Sequence, residues 1–441
     1  MRNRLIVLFV MTVAAGGCST HAPPAQNDVV IWISLDGMRG DYVDRDRDHL
    51  PTLSKLMRDG AFTRELVPVF PSITFPSHVS QITGVPVSEH GVTGNTFYDS
   101  STKQKCKYPD SAALIQAEPI WITATRQGVR AAVIDWPMSY QQTGAVRADY
   151  FGDRFEKDQT DADRLAKLLQ VWRSDDPSQH GGEPLRLLIG YVLTPDKAGH
   201  KFGPDSPELH EQLIEMDRML GDFLAEAQRL FARDHSNPRD QLWIVLTTDH
   251  GMSPSKGVLK LDDVLGKGTE HNLHAALTGP VANLFLDDVA MPGRAKVAND
   301  IVQRLRGDRR IRAWTRDNLP KRWHYAYPTR TGDVVAMLDV GWSWKSSEAA
   351  TKATQAATTQ SATTQSATTS SAEPKGQHGY AVEDDPNMLG FAVFAIAGKS
   401  LNETNLGRVD SLQLYPTVAK LLGILPTRAA TGAAIEFRIG D

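Results

Sequence analysis

The chain of 441 residues is too long for one minimal domain; it suits one large α/β domain with insertions, or a domain plus subdomain. Its 48 basic and 52 acidic residues leave a net charge of -4 with no basic block to track a phosphate backbone, which argues against nucleic-acid polymers as partners. Only two cysteines are present, Cys18 and Cys106, too few for metal coordination by thiolates.

The N-terminus carries Arg2 and Arg4, an apolar run from Leu5 to Val13, then small residues from Ala14 to Gly17 before Cys18. The run is too short to span a bilayer comfortably and reads as a targeting segment, so we expect export. "AAGGC" resembles a bacterial lipobox, in which the cysteine is acylated after cleavage. Ala15 stands where such boxes usually have Leu, which leaves an ordinary cleaved signal as the rival. The expectation is a signal peptide over 1–18, a polar tether over 19–28, and a periplasmic or cell-envelope protein whose only membrane contact is lipid on Cys18. Cys106 is then a free thiol.

Beyond the tether, strand-like apolar runs alternate with helix-like segments, the pattern of a mostly parallel sheet with helices on both faces. "VVIWISLDG" reads as a buried strand ending at Asp36, and "LPTLSKLMRDG" as a helix closed by Gly60. "FPSITFPSHVS", Phe70 to Ser80, sets the hydroxyls of Ser72, Thr74 and Ser77 beside two prolines and turns helical afterwards. A hydroxyl attacks poorly at neutral pH without a base or metal, so a nucleophile here needs an activator elsewhere. "EPIWITATRQG" is a helix and "VRAAVIDWP" the strand after it; "LRLLIGYVLTPD" is a strand ending at Asp196. Ser206 and Pro207 start a long amphipathic helix with Leu209, Leu213, Met216, Leu220 and Leu224 on one stripe. "QLWIVLTTDHG" is a strand ending at Asp249, "GFAVFAIAG" a late strand, and "YPTVAKLLG" a short terminal helix. Residues 345–375 are Ala/Thr/Ser/Gln-rich with "ATTQS" repeated; such a segment cannot bury enough apolar surface to offset its ordering entropy and is expected to be a disordered insertion.

Asp36, Asp196 and Asp249 thus sit at the ends of strands, where ligands gather in an open parallel sheet. His250 follows Asp249, and His200 follows Asp196 by four residues, close enough for both side chains to face one point. Gly199 and Gly251 let the backbone bend beside them. Carboxylates and imidazoles without thiolate suit catalytic zinc, whereas magnesium or calcium prefers oxygen alone. Any one of these pairs is more often a helix cap or a surface histidine; the combination carries the weight.

The blocks "SLDGMR", "VFPSITFPSHVSQITG", "HGVTGNTFYD", "EPIWITA", "YVLTPDKAGH", "TTDHGM" and "GQHGY" occur in this order from Val29 to about Pro426. In them the chain resembles the nucleotide pyrophosphatase/phosphodiesterase family of the alkaline phosphatase superfamily. The resemblance implies an alkaline-phosphatase-like α/β fold with a small inserted subdomain, a catalytic domain over 29–441, and two zinc ions. It implies that Asp36, Thr74, Asp249 and His250 hold one ion and Asp196, His200 and His378 the other, with Thr74 the nucleophile and a phosphothreonine intermediate. Ser77 stands three residues after the nucleophile, where the resemblance leads us to expect an asparagine amide for a phosphate oxygen. Phe75 and Tyr191 are expected to form an aromatic slot for a nucleobase. No role follows from the sequence for Asn95.

The expected activity is hydrolysis of phosphodiester or pyrophosphate bonds in small nucleotide-type substrates. Its rivals are a phosphomonoesterase, or a phospholipid or phosphonate hydrolase of the same superfamily, and a binding protein with a vestigial metal site. A monoesterase needs an extra cation for the additional phosphate charge, and Arg39, near Asp36, is the nearest candidate.

Overall fold

The computed structural model describes residues 26–266, 273–287, 289–345 and 373–437. The expected signal peptide and nearly all of the expected insertion and tether lie outside the described residues.

A mixed, mostly parallel sheet forms the centre. Its strands are β1 (Val29–Leu35), β2 (Ala61–Val67), β3 (Arg130–Val133), β4 (Tyr150–Phe151), β5 (Leu185–Val192), β6 (Leu242–Thr247) and, late in the chain, β11 (Gly390–Ile396). The order is β2-β11-β6-β1-β5-β3-β4, with two short strands, Thr404–Asn405 and Arg408–Asp410, both paired to β2. β1 lies parallel between β5 and β6, with Ser34 opposite both Tyr191 and Thr247. β11 runs antiparallel to β6 and β2.

Both faces of β1 are covered, which explains its uninterrupted apolar run. Val30 and Trp32 point into one core cluster with Phe75, Val79 and Ile82 of helix α2 (Thr74–Thr83), Trp121 of α3 (Ile120–Arg126) and Val418 of α8 (Leu414–Leu421). Val29, Ile31, Ile33 and Leu35 point into the other, with Leu53 of α1 (Pro51–Asp59), Leu168 and Trp172 of α4 (Asp161–Ser174), and α6 (Pro207–Asp234). The α6 stripe is buried as the periodicity requires, and the Ser206 hydroxyl caps it by accepting from the Leu209 amide at 3.2 Å.

The inserted subdomain is an antiparallel sheet of β7 (His274–Thr278), β8 (Val281–Phe285), β9 (Ile311–Thr315) and β10 (Val334–Leu338), in the order β7-β8-β10-β9. Helix α7 (Met291–Leu305) covers it. It docks on the main body where Trp323 stacks on Phe70 at 3.8 Å between centroids and Arg330 donates to Asp99 at 2.8 Å. Both sides of residues 346–372 are tied down: Trp342–Lys345 pairs with Gly257–Lys260, and the Lys375 amide donates to the His200 carbonyl at 2.8 Å.

One expectation needs correcting. Asp196 does not end a strand: β5 stops at Val192, and Thr194 and Pro195 open helix α5 (Thr194–Phe202), which takes Asp196 into its first turn. Proline at the second helical position is pre-organised for that role.

Beside the sheet edge, the Arg164 guanidinium of α4 donates to Asp135 at 2.8 Å, and Tyr140 donates to the other oxygen of the same carboxylate at 2.9 Å, all three side chains being buried. Removing one partner of a buried ion pair leaves an uncompensated charge. Arg164→Met should cost about 3–5 kcal/mol, read by urea unfolding.

Candidate active site

The carboxyl ends of β1, β5 and β6 point the same way because the strands are parallel, and each delivers acidic groups to one crevice. Asp36 leaves β1 directly and Asp249 lies just past the end of β6. The loop after β1 is fastened to the loop after β6: Gly37 N donates to Asp249 Oδ1 at 3.1 Å and Met38 N to Thr248 Oγ1 at 3.0 Å. Gly37 has φ of 68°, and a Cβ there would lie 2.9 Å from the Asp196 Cα, so only glycine lets the β1 loop and α5 meet. Gly251 is needed for a different reason from the bend first expected: a Cβ would fall 1.9 Å from the Asn387 carbonyl oxygen. Antiparallel β11 begins at this same end of the sheet, as the bridge between Arg39 and Gly390 shows, and the segment before it carries His378.

The seven expected ligands converge. Donor atoms of Asp196, His200 and His378 lie within 4.8 Å of one another, as do those of Asp36, Asp196 and His250. His200 Nε2 is 3.3 Å from Asp196 Oδ1 and 3.2 Å from His378 Nε2. His250 Nε2 is 3.0 Å from Asp249 Oδ2 and 3.5 Å from Asp36 Oδ1. The His250 and His378 rings stack at 3.6 Å and join the two groups. Each histidine turns its other nitrogen to a backbone carbonyl, His200 to Gly376, His250 to Gly251 and His378 to Ser72. Those three bonds fix the rings with Nε2 facing the crevice.

Burial sets the electrostatics. Desolvation, then the charges of Asp249 and Asp196, hold the Asp36 carboxyl well above the usual carboxylate range. Burial also works against ionising Asp249, but the imidazoles of His250 and His78 outweigh it and hold its carboxyl below the usual range. Burial opposes a charge on His250 too, yet the Asp249 carboxylate raises it, whereas burial beside His250 and His200 pushes His378 well below the usual imidazole range.

A cation fits this set. Asp36 Oδ1, Asp196 Oδ1 and Asp249 Oδ2 are all buried with no hydrogen-bond partner, so three carboxylate oxygens face one another without donors. A buried anion without a donor is strongly unfavourable unless it is protonated or bound to a metal. Oxygen and imidazole donors in this proportion match zinc.

The three hydroxyls separate cleanly. Ser72 donates to the Tyr380 carbonyl at 2.7 Å, and Ser77 is sealed with its oxygen unpartnered. Both are 0 % exposed, against 8 % for Thr74. Thr74 opens α2, where the helix dipole favours negative charge, and its Oγ1 lies 3.4 Å from His250 Nε2.

The remaining expected residues fall elsewhere. Ser77 is buried one turn below Thr74, and the side-chain amide beside Thr74 is that of Asn95, whose Oδ1 accepts from the Phe75 backbone amide at 2.8 Å. Phe75 and Tyr191 are both buried, with their rings in separate hydrophobic clusters. Tyr191 packs against His78 and donates its hydroxyl to Asp36 Oδ2. The ring that meets Phe75 is Tyr108, edge-on at 6.0 Å, and Asp196 is close enough to help raise the Tyr108 phenol after burial has done so.

His78, like Asn95 and Tyr108, joins the site without having been expected there. One turn after Thr74, its Nδ1 lies 2.8 Å from the Thr74 carbonyl and 3.4 Å from Asp249 Oδ2, and its Nε2 lies 2.8 Å from Ser34 Oγ. The i, i+4 spacing from Thr74 on a helix was the available signal.

Residues 30–381 match the model of the type I phosphodiesterase/nucleotide pyrophosphatase family. This chain belongs to that family. The phosphodiesterase is 29% identical to an uncharacterised pyrophosphatase/phosphodiesterase of Schizosaccharomyces pombe, covering 97% of this chain and 86% of the relative. It is 25% identical to the Xenopus laevis bis(5'-adenosyl)-triphosphatase (95% and 82% covered) and 26% identical to human ectonucleotide pyrophosphatase/phosphodiesterase family member 7 (96% and 85%). In fold it resembles murine ectonucleotide pyrophosphatase/phosphodiesterase 5, solved as an inactive threonine-to-alanine variant with AMP. The TM-score is 0.74 at 22% identity, with 93% of this chain and 98% of that one covered. The fold is accordingly alkaline-phosphatase-like, and the protein is a phosphodiesterase/nucleotide pyrophosphatase enzyme of a family that is metal-dependent, typically on zinc.

A metal binding here competes with protons, because Asp36 and His250 both hold theirs to higher pH than usual. Zinc affinity should therefore fall as pH is lowered through the imidazole range, and binding near neutral pH should release protons. Zinc titrations at several pH values, with proton release followed in weak buffer, check both.

Proposed function

We propose that this enzyme hydrolyses phosphodiester or pyrophosphate bonds of small nucleotide-type substrates with Thr74 as nucleophile on a two-zinc site. The observation that carries the reading is the position of Thr74: among the three candidate hydroxyls it alone has exposure, and it sits beside His250 at the start of a helix. Asp36, Asp249, His250 and Thr74 would hold one zinc ion, and Asp196, His200 and His378 the other. Bound there, zinc supplies Lewis-acid stabilisation of an alkoxide and of charge on phosphoryl oxygens.

Thr74 Oγ attacks phosphorus in line, the bond to the leaving oxygen breaks, and a phosphothreonine forms. Water then attacks phosphorus from the side the leaving group vacated, so configuration at phosphorus is retained and Thr74 is regenerated. The N-terminus of α2 favours the anionic phosphoryl group, and Asn95, bonded to the Phe75 amide, is placed to orient it. His78 and Tyr191 position Asp249 and Asp36 by contact with their carboxylates.

A diester rather than a monoester is supported by Arg39. Its guanidinium is buried and committed to Asp41, Asp205 and the Met252 carbonyl, so it does not supply a cation for a second phosphate charge. Turnover of a bis-aryl phosphate should exceed that of an aryl monophosphate on zinc-loaded enzyme. Thr74→Ala should reduce diester turnover by at least about a thousandfold, and chelation should abolish it reversibly. A hundredfold preference for the monoester would overturn the substrate class, and activity surviving in Thr74→Ala would overturn the mechanism.

We also infer export with lipid on Cys18. Among the described residues no helix is long and apolar enough to cross a membrane. Cell fractionation should find the wild type with membranes and Cys18→Ala released from them.

A further inference from the structure

Away from the catalytic ligands, Asp46, His49 and His210 bring their donor atoms within 4.8 Å of one another. Asp46 and His49 belong to the turn that precedes α1, and His210 to the first turn of α6. His49 Nδ1 lies 2.6 Å from Asp46 Oδ1 and His210 Nδ1 lies 2.8 Å from Asp46 Oδ2, while the two rings meet edge to face at 5.7 Å. We propose that these three side chains form a third, non-catalytic site for a zinc-like divalent cation, one that fastens the turn before α1 to the start of α6.

Two observations support a ligand here. Asp46 is only 6 % exposed, and its Oδ2 is buried with no hydrogen bond: the nearby His210 nitrogen is close but wrongly oriented to donate. The Tyr42 hydroxyl is also buried without a partner, and Tyr42, Asp46 and His210 line one cavity of about 120 Å³. A buried carboxylate oxygen and a buried hydroxyl that both lack a hydrogen bond, beside an imidazole nitrogen 2.8 Å from the carboxylate, are an arrangement a cation resolves. Two imidazoles and one carboxylate are zinc-type donors, and three protein ligands leave a position for water. Arg45 also lines the cavity, but it is answered by Asp41 and Asp205. The histidine side chains are 64% and 45% exposed, so an ion can enter from solvent.

A cation bound there would add to contacts that already join the two elements, since Asp217 of α6 accepts from the Thr52 and Leu53 amides of α1 at 2.9 and 2.8 Å. Its effect should appear in stability rather than in turnover. Full-length enzyme, His49→Gln and His210→Ala are stripped with chelator, dialysed against buffered micromolar zinc and assayed for metal content, melting temperature and diester turnover. The wild type should hold one zinc equivalent more than either variant and show a larger zinc-induced rise in melting temperature, with turnover alike in all three. Equal zinc content in wild type and variants overturns the site. Equal content with a melting temperature that follows pH through the imidazole range also overturns it, in favour of a metal-free carboxylate–imidazolium cluster. If His210→Ala does not fold, the exposed His49→Gln decides alone.

Discussion

Two buried carboxylates, Asp36 and Asp249, and a partly buried third, Asp196, meet at the carboxyl end of the sheet, and the surrounding architecture answers the cost of that arrangement. Asp36, Asp196 and Asp249 each leave one oxygen without a hydrogen bond, while Gly37 N and Tyr191 donate to the opposite oxygens of Asp249 and Asp36, and the imidazoles of His78 and His250 lie close to the unbonded oxygen of Asp249. A site so short of donors is a standing demand for positive charge. The protein meets part of it with a raised proton affinity at Asp36 and His250, which is the same property that makes a metal's occupancy depend on pH.

The rest of the fold holds these groups in place. Parallel β1, β5 and β6 bring three loops to one end, and close packing between backbones, enforced by Gly37 and Gly251, sets how near the loops come. The subdomain contributes at the other rim. Thr278 Oγ1 accepts from the Asn95 amide at 3.2 Å, so the position of Asn95 beside Thr74 depends on an element nearly two hundred positions later in the chain. The two segments are thereby coupled through packing rather than through a shared strand.

Much of this was legible in the residues alone. The strands that deliver Asp36 and Asp249 are continuous apolar runs because helices cover both faces, and the α6 stripe follows its periodicity. Asp196 was placed on a strand because the run before it is apolar, but the Thr-Pro pair starts a helix first. Asn95 and Tyr108 could not be assigned locally, since their roles come from contacts with Phe75 across separate segments. Tyr191 was expected to line a nucleobase slot; its strand is covered on both sides, the ring is buried, and its hydroxyl donates to Asp36. His78 carries no motif of its own, although helical spacing from Thr74 already puts it on the same face.

The anchoring of the chain on either side of residues 346–372 has a consequence for His378. Lys345 ends a paired strand, and Lys375 is tied to the His200 carbonyl and the Ser255 amide, so the route into His378 is set by its flanks. Position at each flank is thus fixed by contacts that do not run through the stretch between them. The placement of His378, three residues after Lys375, therefore rests on local contacts and not on the number of "ATTQS" repeats that precede it.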